Sequence, residues 1–459
     1  MHSTTRVCGC SPGPICRSAK WIVFANLQLF LLLNLSPLQA PAAGMSYLDN
    51  GILKVGVDLD RGGSIGYLAD VKKGGNVVNT HDFGRWIGQS YYSGPKPFGQ
   101  AHPAWKDWPW NPVSGGDVYG HSSKVIDQRN DGRRLYVKTI PQQWALNNVP
   151  AECTFESWIT LSGRTVAVRN RLTNSRQDKT QYAALDQELP ALYTIGALHR
   201  LVTYDGDKPF SDAPPKVIPN RPAKNGPQWT GFQSTEHWAA QLDENDWGLG
   251  VCHPGVIRWT GGFYGQGGAG RTADDATGYI APVRREILDH NIVYEYHYTL
   301  ILDTLDNIRQ YAYAQRPKSL LPDYHFKNDR QHWWLVGSTD SGYPIRDFMR
   351  VKVEQADPQM IGPEALWEAK GAPKLYIRAA YRTKHRAAQL FWKTTDQPAF
   401  TEKRSVRFEI NPDGKLHTYE IDLGKLSAYR GMITGLRFDP VEAGGANETV
   451  DVISISHQP

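Results

Sequence analysis

Two groups of residues have the types and spacing for chemistry on a polar ligand. The first is NTHDFGRWIGQSYYSGP, residues 79–95, which sets His81, Asp82, Arg85, Gln89, Tyr91 and Tyr92 in one run of strand length. Alternate side chains of an extended strand share a face. Arg85, Gln89 and Tyr91 then fall on one side and Trp86 and Tyr92 on the other, so neither face is simply apolar. Leaving that many buried donors and acceptors unpaired would cost about 1–3 kcal/mol each. The run is therefore expected to be a strand lining a ligand cleft. Arg85 would hold a hydroxyl or carboxylate oxygen, with Asp82 and Gln89 beside it. His81 would stand at the cleft mouth, and Tyr91 or Tyr92 would stack on the ligand or transfer a proton. The second group is a set of carboxylates: Glu156 in CTFESWITL, Glu188 in ALDQELPALY and Glu236 in STEHWAAQL. Glycoside hydrolysis usually sets two carboxyl groups across one cleft, one protonated and one ionised. Glu188 and Glu236 are the expected pair if their strands are neighbours. Glu156, Trp158 and His237 are the expected substrate contacts around them.

A loop at 103–121, PAWKDWPWNPVSGGDVYGH, adds three tryptophans close together. Exposed aromatic side chains in a loop need something to cover them. Either Trp108 and Trp110 stack on a sugar, with His121 reaching the cleft, or the loop packs its own tryptophans as a small core. The chain has no HExxH and no cysteine cluster, so no metal or cofactor is expected in catalysis. A structural calcium is compatible with the C-terminal half, where Asp439 and Asp451 are loose candidates.

The elements that must position these groups are nearly all strands. Period-2 alternation recurs at 51–59, 133–140, 153–161, 164–172 and 294–302. Ser162-Gly163 reads as a hairpin turn and Asn130-Asp131-Gly132 as another. The exception is 304–316, where Leu305, Ile308 and Ala312 recur at helical spacing behind a capping Asp303 or Thr304. A proline-punctuated polar linker follows. A second series of short strands then runs to the C-terminus, of the size of a compact antiparallel sandwich. The expected class is all-β: a large N-terminal sandwich with a closing helix, then a smaller, jelly-roll-like one. The expected boundaries are 1–42, 43–318 and 319–459.

The first of these segments reads as an export signal. Arg6, Arg17 and Lys20 precede an apolar run at 21–35, and small residues follow near Ala42. Asn26, Gln28 and Asn34 interrupt the run, so no stable membrane span is expected in the mature chain. A secreted or periplasmic protein follows. The formal charge is +5, and three of those cations lie in the leader. The remainder is close to neutral and has no basic run, which sets nucleic acid aside as a partner. Cys8, Cys10 and Cys16 leave with the leader. Cys153 and Cys252 either pair or stay as buried thiols.

LKVGVDLDRGGSIGYLAD, STEHWAAQLDENDWGLGVCHPG and EILDHNIVYEYHYTLILDTLDNIRQY resemble, in pattern and order, strands of galactose-mutarotase-like supersandwich domains over about 45–316. The aldose-epimerase His and Glu motifs are not recognisable, so that resemblance implies the fold and not mutarotase activity. LFWKTTDQPAFTEKRSVRFEI, KLHTYEIDL and ITGLRFDPVEAGGANETVDVISI resemble the carbohydrate-binding-module-like sandwiches appended to secreted bacterial glycan enzymes. Secretion and a glycan partner, a polysaccharide or oligosaccharide, are what this second resemblance implies. Three functions are then open: a glycoside hydrolase with paired carboxylates, which is favoured; a polysaccharide lyase on a uronate glycan, with a Tyr or His base and Arg; and a non-catalytic glycan-binding surface protein.

Overall fold

The computed structural model describes residues 44–220, 229–268 and 270–459. The leader expected at 1–42 lies outside them. Strand alternation has its usual cause here. In Thr165–Asn174 the apolar Val166, Val168 and Leu172 are buried, while Ala167, Arg169 and Arg171 face outward. This strand pairs with Cys153–Ser162 across the turn at Gly163, whose φ of 52° suits glycine.

Two antiparallel sheets form the larger sandwich. The front sheet runs in the order Met45–Asp49, Leu53–Asp58, Ser64–Asp70, Ile87–Ser90, Leu185–Ile195, Thr277–Glu286, Arg258–Tyr264 and Thr230–Gln233. The back sheet runs Lys216–Val217, Arg200–Thr203, Trp238–Leu242, Trp247–Cys252, Val293–Thr304, Thr165–Asn174, Cys153–Ser162, Arg134–Ile140 and Lys124–Asn130. The core between them is built from side chains such as Val55, Tyr91, Phe155, Leu192, Leu249 and Leu300. The expected helix forms at Leu305–Ala314 and lays Ile308 and Ala312 on the outside of the back sheet. Gly250 allows the close approach, since a Cβ there would sit 2.5 Å from Ile308.

A second pair of sheets, six strands each, runs from Asp323 to Ser456 around Trp333, Trp392, Phe438 and Val452. Its core also takes in Ala184 and Ile287 of the larger sandwich. Between the two, buried Arg330 donates to Asp289 at 2.7 Å and to Asp340 at 2.6 Å. Gln181 donates to the same two carboxylates at 3.0 and 2.7 Å.

Two readings change in detail. Residues 79–95 are not one strand: only Ile87–Ser90 is. Asp82 closes a turn by accepting from the Gly84 and Arg85 N–H groups at 2.9 and 3.1 Å, and Trp86 follows with a φ of 86°. Of the two cysteine readings, Cys153 and Cys252 are buried free thiols, in separate apolar clusters. Among the described residues, no helix is long and apolar enough to cross a membrane.

Candidate functional site

The outer face of the front sheet carries the candidate site, with Glu188 at its centre. Leu189 and Leu192 of the same strand point into the core, and a register shift after Glu188 carries the strand past this point. The Tyr92 hydroxyl donates to Glu188 Oε2 at 3.0 Å. The Tyr279 hydroxyl lies on the same carboxyl, buried and without a hydrogen bond of ordinary geometry among the described residues. Burial raises the Glu188 carboxyl above its ordinary value, and the two tyrosines only partly oppose this. The shift favours the protonated acid.

Aromatic rings pave the face beside it. Tyr193 and Tyr279 are cross-strand partners with ring centres 4.6 Å apart, and Trp229 lies 4.7 Å from Tyr279. Ala191 and Ala281 complete this cluster, and Tyr193 and Trp229 cover Tyr279, which is fully buried. On one margin Arg85 donates to the Asp275 carboxylate at 2.6 Å and to its carbonyl at 2.7 Å, with Asp82 at 3.2 Å. His81 Nδ1 meets the Ala273 carbonyl at 2.8 Å. On the other margin Asp186, two residues before Glu188 and on the same face, is held by Arg258 and Arg285. The face continues there into a cleft of about 340 Å³ against the second sandwich. Arg285 lies 4.8 Å from the Trp334 ring centre on its far wall.

Glu188, Tyr92, Arg85, Asp82 and His81 are thus held on one face or its margin. Trp108 joins them at the edge: it packs 6.0 Å from Tyr92 and 4.5 Å from Trp105, with its indole N–H on Asn111 at 2.9 Å. Trp110, one residue pair further on, is core, only 1% exposed. The loop therefore packs most of its own aromatic surface.

The other candidates sit elsewhere, and each has a physical reason. Tyr91 points the opposite way from Tyr92 and is fully buried among Phe155, Tyr294 and Tyr296. Gln89 faces inward too. It accepts from Tyr91 at 2.8 Å and donates to the Glu156 carbonyl and Ser157 Oγ, both at 3.0 Å, so it ties the two sheets together. Glu236 belongs to the back-sheet side, not to a neighbour of the Glu188 strand. Burial pushes its carboxyl upward, but hydrogen bonds from Arg309, Trp238, the Phe210 N–H and Tyr313 hold it below its ordinary range. Both Arg309 contacts are short, 2.9 and 2.8 Å. Glu236 is a buried anchor for the helix. His237 is buried next to it, and burial lowers its imidazole to about 4. Glu156 and Trp158 face outward from the back sheet, opposite Glu188. His121 Nδ1 is bound to buried Asp117 at 2.9 Å in a tight loop.

The residues that sequence reasoning missed are Tyr193, Tyr279, Trp229, Arg258 and Arg285; Asp186 stands beside Glu188 in the ALDQELPALY run of candidate carboxylates. Tyr279 alternates with Ile280 in a period-2 run, so its outward face was a recoverable signal. Trp229 had none. Among the described residues, no cluster of three or more His, Cys, Asp or Glu could hold a metal ion. Asp439 pairs with Arg437 at 2.6 Å, and Asp451 is shared by Arg350 and Arg382, each at 2.7 Å.

No family model matches the chain, and no curated protein does. Among solved structures it is similar to a galactose mutarotase-like protein from Lactobacillus casei ATCC 334, with 14% identity over 56% of this chain and 100% of that one, at a TM-score of 0.33. A galactose mutarotase-like protein from Clostridium acetobutylicum is similar at 10% identity, covering 56% and 95%, with a TM-score of 0.36. A Paenibacillus xanthan lyase is similar at 8% identity, covering 91% of this chain and 52% of that one, with a TM-score of 0.31. Likeness this loose carries no conclusion about chemistry, which has to come from the residues.

Proposed function

We propose that the chain is a carbohydrate-active enzyme that cleaves a glycan by acid–base hydrolysis at Glu188. The observation that carries this reading is a single carboxyl group, biased by burial toward its protonated form, on an aromatic outer face. A sugar ring stacks its CH groups on Tyr193 and Trp229, and the Glu188 proton passes to the glycosidic oxygen as the bond breaks. Asp186 is the second carboxylate. It takes the proton from the water that replaces the leaving group at the anomeric carbon. Arg258 and Arg285 orient Asp186 and contact the ligand beyond it.

The lyase reading with a tyrosine base, rather than a histidine, needs a tyrosine that gives up its proton readily. Burial raises both Tyr92 and Tyr279 well above the ordinary phenol value, which makes them donors and poor bases. Hydrolysis is therefore favoured over a lyase with a tyrosine base. Export and a role for the smaller sandwich in holding the polymer belong to the same proposal and rest on the leader and on the resemblance of that segment.

The test is Glu188→Gln against a polysaccharide panel, read by reducing ends and by absorbance of unsaturated uronate. A general acid contributes roughly 100- to 10,000-fold, so a loss of that size is expected, with reducing ends and no absorbance from the unmodified chain. Undiminished turnover in Glu188→Gln, or product absorbing as unsaturated uronate, would overturn the reading.

A further inference from the structure

The back sheet carries a second built surface, on the side of the sandwich opposite Glu188. The helix Leu305–Ala314 packs on Trp238–Leu242, Trp247–Cys252 and the end of Val293–Thr304. Beyond the helix the outer face continues across Thr165–Asn174, Cys153–Ser162 and Arg134–Ile140. Register sets its side chains in rows. Tyr136, Trp158, Arg169 and His297 are cross-strand partners in succession. The adjacent row contains Thr160, Ala167 and Thr299, again in register. A row of small side chains beside a row of large ones makes a groove that crosses the strands. Two sections of it, about 450 and 430 Å³, meet at Trp158 and Arg134.

The charge of the groove is as specific as its shape. The row beyond Trp158 neutralises itself, because Arg171 takes Glu295 at 2.5 Å and Glu156 at 3.5 Å. Arg134 and Arg169 enter no ion pair with the described residues. The Arg169 guanidinium lies 3.8 Å from the Trp158 ring centre, and its Nε is buried with no hydrogen-bond partner among the described residues. Tyr136 extends the aromatic surface, with its ring centre 5.3 Å from that of Trp158. Aromatic faces suit pyranose rings, and planar guanidinium groups suit carboxylate or sulfate oxygens. An arginine that already has a stacking surface, but lacks an anion, has one unmet need.

We infer that this groove binds an anionic polysaccharide, one bearing carboxylates or sulfates, on the face opposite Glu188. It would hold a polymer to the protein without taking part in bond cleavage. The test is affinity electrophoresis of the full chain through gels containing polygalacturonate, dextran sulfate, neutral dextran or single-stranded DNA. Retardation by polygalacturonate or dextran sulfate and not by neutral dextran is expected, and comparison of the two anionic gels identifies the preferred substituent. Arg169→Gln and Trp158→Ala should each weaken that retardation roughly tenfold. If Trp158→Ala does not fold, Arg169→Gln alone decides. Equal retardation by neutral dextran, retardation by DNA alone, no retardation by either anionic polysaccharide, or wild-type mobility of Arg169→Gln would each overturn the inference. The assay reads binding, so its result stands whether or not Glu188 proves catalytic.

Discussion

Glu188 and Glu236 show how one residue type takes opposite roles. Both are glutamates in strand-like runs with apolar neighbours. Glu188 meets two phenols and, among the described residues, no cation at hydrogen-bond distance, and its carboxyl is raised. Glu236 meets Arg309 and several further donors, and its carboxyl is lowered. A proton-transfer role for Glu188 therefore predicts that kcat/KM falls on the alkaline side as the acid form is lost. Tyr92 stabilises the ionised form through its hydrogen bond, so Tyr92→Phe should move that limb to higher pH, by about one unit or less. A pH–rate profile showing the limb unmoved or shifted downward would separate Tyr92 from Glu188. At this scale the sequence marked Glu188, Tyr92 and Arg85, because polar and aromatic side chains stand out in a strand-length run. It could not tell a reactive carboxylate from an anchored one, since the Arg309 and Tyr313 that decide the matter lie far along the chain. Nor could it tell Tyr91 from Tyr92: a turn at Asp82 and a left-handed Trp86 make face assignment by simple alternation unsafe there.

Elements were the most legible level. The 3.6-residue spacing of Ile308 and Ala312 marked the only long helix expected, and alternation with Ser162-Gly163 marked the hairpin at Cys153–Asn174. Sheet order was not legible. The strand Leu185–Ile195 lies between Ile87–Ser90 and Thr277–Glu286, and no local pattern encodes such distant pairing. That is why Glu156 and Trp158, expected beside Glu188, lie on the opposite sheet. The helix is pinned by the Glu236–Arg309 pair, whose carboxylate is fully buried. Removing one partner of a buried pair costs about 3–5 kcal/mol, so Glu236→Ala should lower the melting temperature strongly while folded protein keeps its turnover. Because the folded-state value lies below the ordinary 4.5, the contribution of Glu236 is present above that pH. It is lost as pH falls through the lower folded value. Thermal melts across this range check the sign; a Glu236→Ala variant of full stability and no turnover would return Glu236 to catalysis.

For the whole molecule the join between the sandwiches is the feature to test. Two separable units with a boundary near 318 are a proposal from the linker and the restart of strands. The buried Arg330 group makes it specific. Cleavage after Lys318 should leave two fragments that remain associated at neutral pH, held across the cut by Arg330 to Asp289 and by Gln181 to Asp340. Arg330→Ala should weaken that association by about 3–5 kcal/mol. Burial pushes the Asp340 carboxyl up, but Arg330 outweighs it and holds the folded value below 3.8. Asp340 also accepts from Gln181 across the join, so that contact is complete above about pH 3.8 and loosens as pH drops through the folded value. Size-exclusion chromatography of the nicked chain at neutral and acid pH reads this directly, and fragments that part at neutral pH would refute it.

The two thiols offer a different use of the same architecture. Cys153 is sealed between the large sheets and Cys252 beneath the helix, in clusters that do not share a residue, and burial raises both thiols above their ordinary value. Neither can reach an alkylating reagent while its cluster is closed, so each is a built-in clock for the opening of its own layer. Mass-resolved labelling in rising denaturant should modify Cys252 first if the helix peels away before the sandwich opens, and both together if unfolding is a single step.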